Sequence, residues 1–292
     1  MIINNIMIEY YNYLTIPSGK GFNLKELKNK EYLVLLKFLN GENYKGFYEA
    51  LDSLIQESIP DFKDFNLCDK AYIYIAYYYY SINSTLTIKG DKVDSVDIPL
   101  TIMLDSLENS FIKNKVSSKV NNWDACIYYP KQLLFDSNDD ISIDKFSGLC
   151  ELANNPIKDI TQLEQLRSVM PTKYINEIEY IVDKNFNSEI TICEDSPNTS
   201  KLTDTLLSPS LFYSIAYMYK ELLDNFYDMQ YMVAHYIRVS IDSLLEMTPV
   251  ETNILYKNFI RDKERQNEKS KSSGSSGLYL NDPNIADSLM GY

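Results

Sequence analysis

The sequence predicts an α+β fold: short antiparallel strands with packed helices in the N-terminal half, a mainly helical C-terminal third and a flexible C-terminal tail. Three observations predict it. Alternating runs of β-branched and aromatic residues bounded by turn residues, as in Thr85-Leu86-Thr87-Ile88-Lys89 before Gly90-Asp91, mark hairpins in the first half. From Phe212 onward, Ile215, Ala216, Tyr219, Leu222, Leu223 and Phe226 keep a sustained helical spacing. A Ser/Gly/Lys-rich run, Lys269–Gly277, then ends that pattern. These observations divide the chain into an α+β domain over residues 1–158, a mainly helical domain over 159–268 and a linker with tail over 269–292.

In chain order, Tyr10–Ile16 reads as a strand ending at Pro17-Ser18-Gly19, with Gly21–Leu24 as its hairpin partner. Asn29 precedes a helix, Lys30–Leu39, stopped by Asn40-Gly41. In Asn43–Ser58 the residues Phe47, Leu51, Leu54 and Ile55 draw one apolar stripe, which predicts a second helix packed on the first and ended by Pro60. Asp69 is the N-cap candidate for Ala71–Ser81, whose six tyrosines fit a helix or a strand. After the hairpin of Thr85–Lys89 with Val93–Leu100, Phe111–Val120 and Trp123–Tyr129 read as extended, and Asn138-Asp139-Asp140 as a loop. Asp144–Ala153 reads as a short helix broken at Asn154-Asn155-Pro156. Ile160–Phe186 gives two helices separated at Met170-Pro171, then a strand, Glu189–Cys193, and a linker, Glu194–Ser208. Tyr227–Arg238 continues the helical third. Thr248-Pro249-Val250-Glu251 is the strongest local signal: a cap threonine, a first-turn proline and a glutamate that closes a capping box. Ile254, Leu255 and Phe259 form the apolar side of the helix it starts, and Arg261–Arg265 its charged end.

Composition argues against several functions. In its 292 residues, 28 Lys+Arg against 41 Asp+Glu give a formal net charge of -13, which repels nucleic acid. No apolar run approaches the ~20 residues that cross a bilayer, and Met1–Ile8 lacks the cationic flank of a signal peptide. The four cysteines, Cys68, Cys126, Cys150 and Cys193, stand singly and read as reduced thiols. His235, the one histidine, has no neighbouring acid and reads as structural. No paired-ligand spacing, calcium loop or phosphate-loop glycine pattern occurs, so the sequence assigns no catalytic, cofactor-binding or metal residue and predicts no cofactor. The acids from Asp136 to Asp140 read as a solvated loop. What does stand out is 25 Tyr beside 9 Gly. Tyr77–Tyr80 lacks the basic groove of a nucleic-acid stacking platform, with only Lys70 and Lys89 nearby. Tyrosine suits cores and protein interfaces, and low-GC coding bias enriches it as well.

Several segments, in order, resemble the baseplate hub assembly proteins of T-even-like contractile-tailed phages. They are Ile16-Pro17-Ser18-Gly19-Lys20, Lys30-Glu31-Tyr32-Leu33, Ala50–Ile55, Leu67-Cys68-Asp69-Lys70-Ala71-Tyr72-Ile73 running into Ser81–Leu86, and the stretch Ser240–Glu251. The resemblance covers roughly residues 7–265. Two features depart from it: cysteines that members pair, in a way able to hold a metal, stand singly here, and tyrosines replace an arginine-bearing helix. The resemblance implies a late, non-enzymatic tail protein, an assembly chaperone or minor subunit of the baseplate hub. It would bind other tail or hub proteins, the tape measure or a further copy of itself, in the host cytoplasm during assembly or in the virion. The alternative is a small hydrolase built on carboxylates such as Asp69, Glu177 and Asp242, which nothing in the sequence brings together. Leu278, Tyr279, Leu280, Ile285, Leu289 and Met290 return after the linker and read as a tethered docking peptide, the expected partner-binding residues.

Overall fold

The fold is α+β, with helices packed around several small antiparallel sheets. The computed structural model describes residues 11–88 and 93–272. Strands β1 (Tyr11–Thr15) and β2 (Gly21–Lys25) form the expected hairpin. Its turn needs Gly19, at φ +88°, where a side chain would be strained. Helix α1 (Asn29–Asn40) buries Tyr32, Leu35, Leu36 and Leu39 and stops at Gly41. It packs on α2 (Tyr44–Gln56), capped by Asn43, whose side-chain oxygen accepts the Gly46 N–H at 2.6 Å. Gly46 allows that approach, since a Cβ there would lie 2.5 Å from Phe38 Cδ1. Helix α3 (Leu67–Ser81) settles the tyrosine segment as helical. It is buried on nearly every side, so it shows no amphipathic period from which its type could be read. Its cap is Asn66 rather than Asp69. The Asn66 side chain accepts the Asp69 N–H at 3.0 Å, because Asp69 already lies inside the first turn.

Strands β3 (Thr85–Ile88) and β4 (Val96–Pro99) pair antiparallel, while Gly90-Asp91 falls outside the described residues. A helix not expected from the sequence follows, α4 (Thr101–Ser110), with Met103 and Leu107 in the core. The extended reading from Phe111 holds only for β5 (Val116–Val120), which turns through Asn121 at φ 54° into β6 (Trp123–Ile127). Strands β7 (Leu133–Phe135) and β8 (Ile141–Ile143) bracket the acidic loop. The short helix expected at Asp144–Ala153 is corrected: a 3-10 turn, Lys145–Gly148, leads into β9 (Leu149–Leu152), which turns to β10 (Asn155–Pro156). Neighbours decide this. Strand β6 offers an open edge, the Tyr128 N–H donates to the Gly148 carbonyl at 2.8 Å, and Ala153 and Asn154 take the left-handed turn at φ 51° and 61°. The resulting sheet has the order β10-β9-β6-β5.

Helices α5 (Ile160–Val169) and α6 (Thr172–Phe186) part at Met170-Pro171 as expected, and β11 (Glu189–Cys193) follows. The linker expected at Glu194–Ser208 is corrected as well, because it contains β12 (Leu202–Thr205) paired with β11, and Leu206 and Leu207 are buried. Helix α7 (Pro209–Tyr219) ends before Lys220, so the helical run expected through Phe226 is two helices, the second being α8 (Leu223–Ile237). After α9 (Ile241–Leu245), the capping box forms as read: the Thr248 N–H donates to Glu251 Oε2 at 2.8 Å and the Glu251 N–H to Thr248 Oγ1 at 3.2 Å. It starts α10 (Pro249–Ser272), which runs beyond Lys269, where the linker was expected to begin. Apolar packing does not pause at residue 158: one core extends from Leu14 to Phe226, and α7 packs on both α1 and α3.

Candidate interaction surface

Tyrosine has two fates in this fold. Tyr32, Tyr48, Tyr74, Tyr77, Tyr78, Tyr129 and Tyr219 are buried. A buried phenol must place its hydroxyl, and several do so by joining segments far apart in sequence. Tyr32 Oη donates to the Tyr219 carbonyl at 3.0 Å, Tyr48 Oη to the Phe212 carbonyl at 2.6 Å, and Tyr219 Oη to the Tyr74 carbonyl at 2.6 Å. These three bonds lace α1, α2, α3 and α7 together. Burial pushes the pKa of Tyr32, Tyr48, Tyr74, Tyr77 and Tyr219 well above the ordinary phenol value, and that of Tyr78 up to about 12. Of the run Tyr77–Tyr80, Tyr77 and Tyr78 lie in the core and Tyr79 and Tyr80 are half-buried.

The second fate is exposure, concentrated at the C-terminal helices. Tyr217, Tyr227, Tyr231 and Tyr236 are exposed there with Leu222, Ile237, Ile241 and Ile254. Helix α8 explains the geometry. Phe226, Gln230 and Val233 face inward, so the opposite face carries Asp224, Tyr227, Asp228, Tyr231 and His235, all exposed and three or four residues apart. Tyr231 is 65 % exposed, and its ring stacks on His235 at 6.1 Å between centroids and 12° between planes. Tyr236 turns toward α10, where it meets Phe259 at 3.7 Å and Lys263 Nζ at 4.7 Å from its ring. Arg238 caps α8 in the left-handed conformation, at φ 57°. Sequence reasoning singled out none of Asp224, Tyr227, Tyr231 or Arg238; the signal was a polar and aromatic row at helical spacing opposite Phe226 and Val233.

The expected partner-binding residues Leu278, Tyr279, Leu280, Ile285, Leu289 and Met290 lie outside the described residues. His235 is exposed and touches tyrosine rings rather than a nucleophile. The four cysteines are free, Cys68 and Cys193 buried, Cys126 and Cys150 half-buried. The carboxylates of the hydrolase alternative are tied to three different places. Asp69 accepts the Ser18 N–H at 3.1 Å and Asn66 Nδ2 at 2.7 Å, Glu177 accepts the Asn121 N–H at 3.3 Å, and Asp242 opens α9. The carboxylates of the acidic loop hold the loop and its neighbours: Asp136 accepts the N–H groups of Asn138 and Asp140, Asp139 that of Lys45 of α2, and Asp140 the Tyr213 hydroxyl of α7. Among the described residues, no group of three His, Cys, Asp or Glu could hold a metal ion. A buried polar cluster joins Asp52, Lys70 and Tyr74. Tyr74 Oη donates to Asp52 Oδ1 at 2.6 Å, and Lys70 Nζ donates to the Lys131 carbonyl at 3.0 Å. Burial raises the Asp52 pKa and lowers that of Lys70, each partly opposed by the other's charge. A shallow depression of about 510 Å³ lies elsewhere, along Phe38, Asn43, Lys45 and Gly46. No family model, curated protein or solved structure matches the chain.

Proposed function

We propose that the chain is a non-enzymatic tail protein of a contractile-tailed phage, an assembly chaperone or minor subunit of the baseplate hub that acts by binding other tail proteins. The observation that carries this reading is the exposure of large apolar side chains in the C-terminal third: Tyr217 of α7, Leu222 before α8, Tyr227 and Tyr231 of α8 and Ile254 of α10 leave rings and branched chains in water. Exposed aromatic side chains are a feature of interaction surfaces. The segments that carry the family resemblance also meet in space, which supports their being one pattern. Asp69 holds Ser18 of the first turn, and Lys28 and Lys30 at the start of α1 pair with Glu246 at 3.1 and 2.6 Å.

In this role the protein covers apolar surface on a hub protein or the tape measure until assembly. Its net charge of -13 steers it toward a basic partner in the host cytoplasm, and in the subunit role it stays in the virion baseplate. Among the described residues no helix is long and apolar enough to cross a membrane. Co-expression with each hub and tape-measure protein of a T-even-like phage, followed by affinity purification, tests the proposal. A stable complex with one of them is expected, and a chain that purifies alone from all of them overturns it. Truncation after Lys271 should leave the melting temperature unchanged and weaken that complex, since it removes Leu278 through Met290.

A further inference from the structure

The exposed face of α8 has a symmetry that its sequence order makes visible. Tyr231 lies midway between Tyr227 and His235, and also midway between Asp224 and Arg238. All five are exposed. Among the described residues neither Asp224 nor Arg238 has an ion-pair partner. The charges are sorted by end: Asp224 and Asp228 in the N-terminal half of the helix, Arg238 at its C-terminal cap. Laid antiparallel on a second α8 about a two-fold axis through Tyr231, such a face meets its own complement. Asp224 then faces Arg238, Tyr227 faces His235, and the two Tyr231 rings share the axis.

We infer that this face of α8 is an isologous homodimer interface, whose partner is a second copy of this chain. A two-fold pairing requires one patch to be complementary to itself, and a helix with acid at one end, base at the other and aromatics between meets that requirement. Antiparallel pairing also sets the opposed helix dipoles favourably. One helix face buries little area by the standard of permanent dimers, so the dissociation constant falls on the order of 1 µM to 100 µM. The inference does not depend on the phage reading, because it concerns the protein alone.

Sedimentation velocity of the full chain over that concentration range tests it. The wild type should pass from monomer to dimer. Tyr231→Glu, which places two like charges on the axis, and the single changes Asp224→Arg and Arg238→Asp should each weaken the dimer about tenfold or more. Asp accepts the left-handed backbone at position 238, and unchanged circular dichroism and melting would show each variant folded. The decisive arms restore charge. An equimolar mixture of Asp224→Arg with Arg238→Asp should form a heterodimer, since both of its ends then pair Arg with Asp, and the double variant should dimerise with itself. A wild type monomeric on the order of 1 mM, a dimer indifferent to all three single changes, or a mixture that fails to restore pairing would each overturn the interface.

Discussion

At the scale of single residues, this protein uses tyrosine as a fastener. Each buried ring contributes area, and the hydroxyls of Tyr32, Tyr48, Tyr74 and Tyr219 each donate to a backbone carbonyl or a carboxylate on another element. Tyr219→Phe leaves the Tyr74 carbonyl without its 2.6 Å donor, and Tyr48→Phe does the same to the Phe212 carbonyl. Each change should cost about 1 kcal/mol in urea unfolding, with little change in the m-value. Asp52 makes a different prediction. Burial holds its folded pKa above the unfolded value, so between the two the folded chain keeps a proton that the unfolded chain has released. Stability from this group therefore falls as pH rises above about 4 through the folded pKa. Asp52→Asn keeps an acceptor for Tyr74 Oη and removes that titration. Its melting temperature should decline less than that of the wild type across the mildly acidic range; an unchanged slope would show that Asp52 does not carry the effect.

At the scale of elements, local signals succeeded where the chain's own neighbours satisfy the backbone. The capping box at Thr248 involves residues within one turn, and it was legible in full. Thr248→Ala should cost about 1 kcal/mol and speed amide exchange in the first turn of α10. The reading failed where a partner strand decides. Phe146, Leu149 and Leu152 are spaced as a helix would space them, yet Leu149–Leu152 pairs with β6 because that edge is open beside it. Gly148 makes the approach feasible: a Cβ there would lie 2.5 Å from the Tyr128 carbonyl oxygen and 3.1 Å from Val182 Cγ2. Gly148→Ala should consequently destabilise by more than an exposed glycine substitution does, on the order of 2 kcal/mol, because the clash is with backbone. Helix α4 was readable in principle, since Met103 and Leu107 stand four apart, but its short length and the preceding strand pattern masked the period.

At the scale of the whole molecule, one core joins the hairpin-rich half to the helical third. Leu36 of α1, Ile75 of α3 and Phe212 of α7 belong to the same buried cluster. Far-ultraviolet circular dichroism and the fluorescence of Trp123, the single tryptophan, should therefore report one coincident thermal transition. Two separated transitions would instead place a boundary near residue 158. The ion pairs of Lys28 and Lys30 with Glu246, which lower its carboxyl pKa, tie the ends of this core across the chain. Lys28→Ala with Lys30→Ala should remove that depression, measurable by NMR titration of Glu246. An unchanged Glu246 titration would show that the two lysines are not its cause.

By itself the sequence determined the α+β class, the first hairpin, α1 and α2, the break at Met170-Pro171 and the start of α10. Each rests on contacts within one turn or on one apolar stripe, and such information is local. Tertiary structure alone decided the type of α3, the strands β9 and β12, and which tyrosines are fasteners and which are surface. A residue's burial depends on elements that the chain brings up from a distance, and identical tyrosines at positions 219 and 231 end as fully buried and 65 % exposed because α3 and α1 cover one, whereas among the described residues the ring stacked on the other is His235 of its own helix.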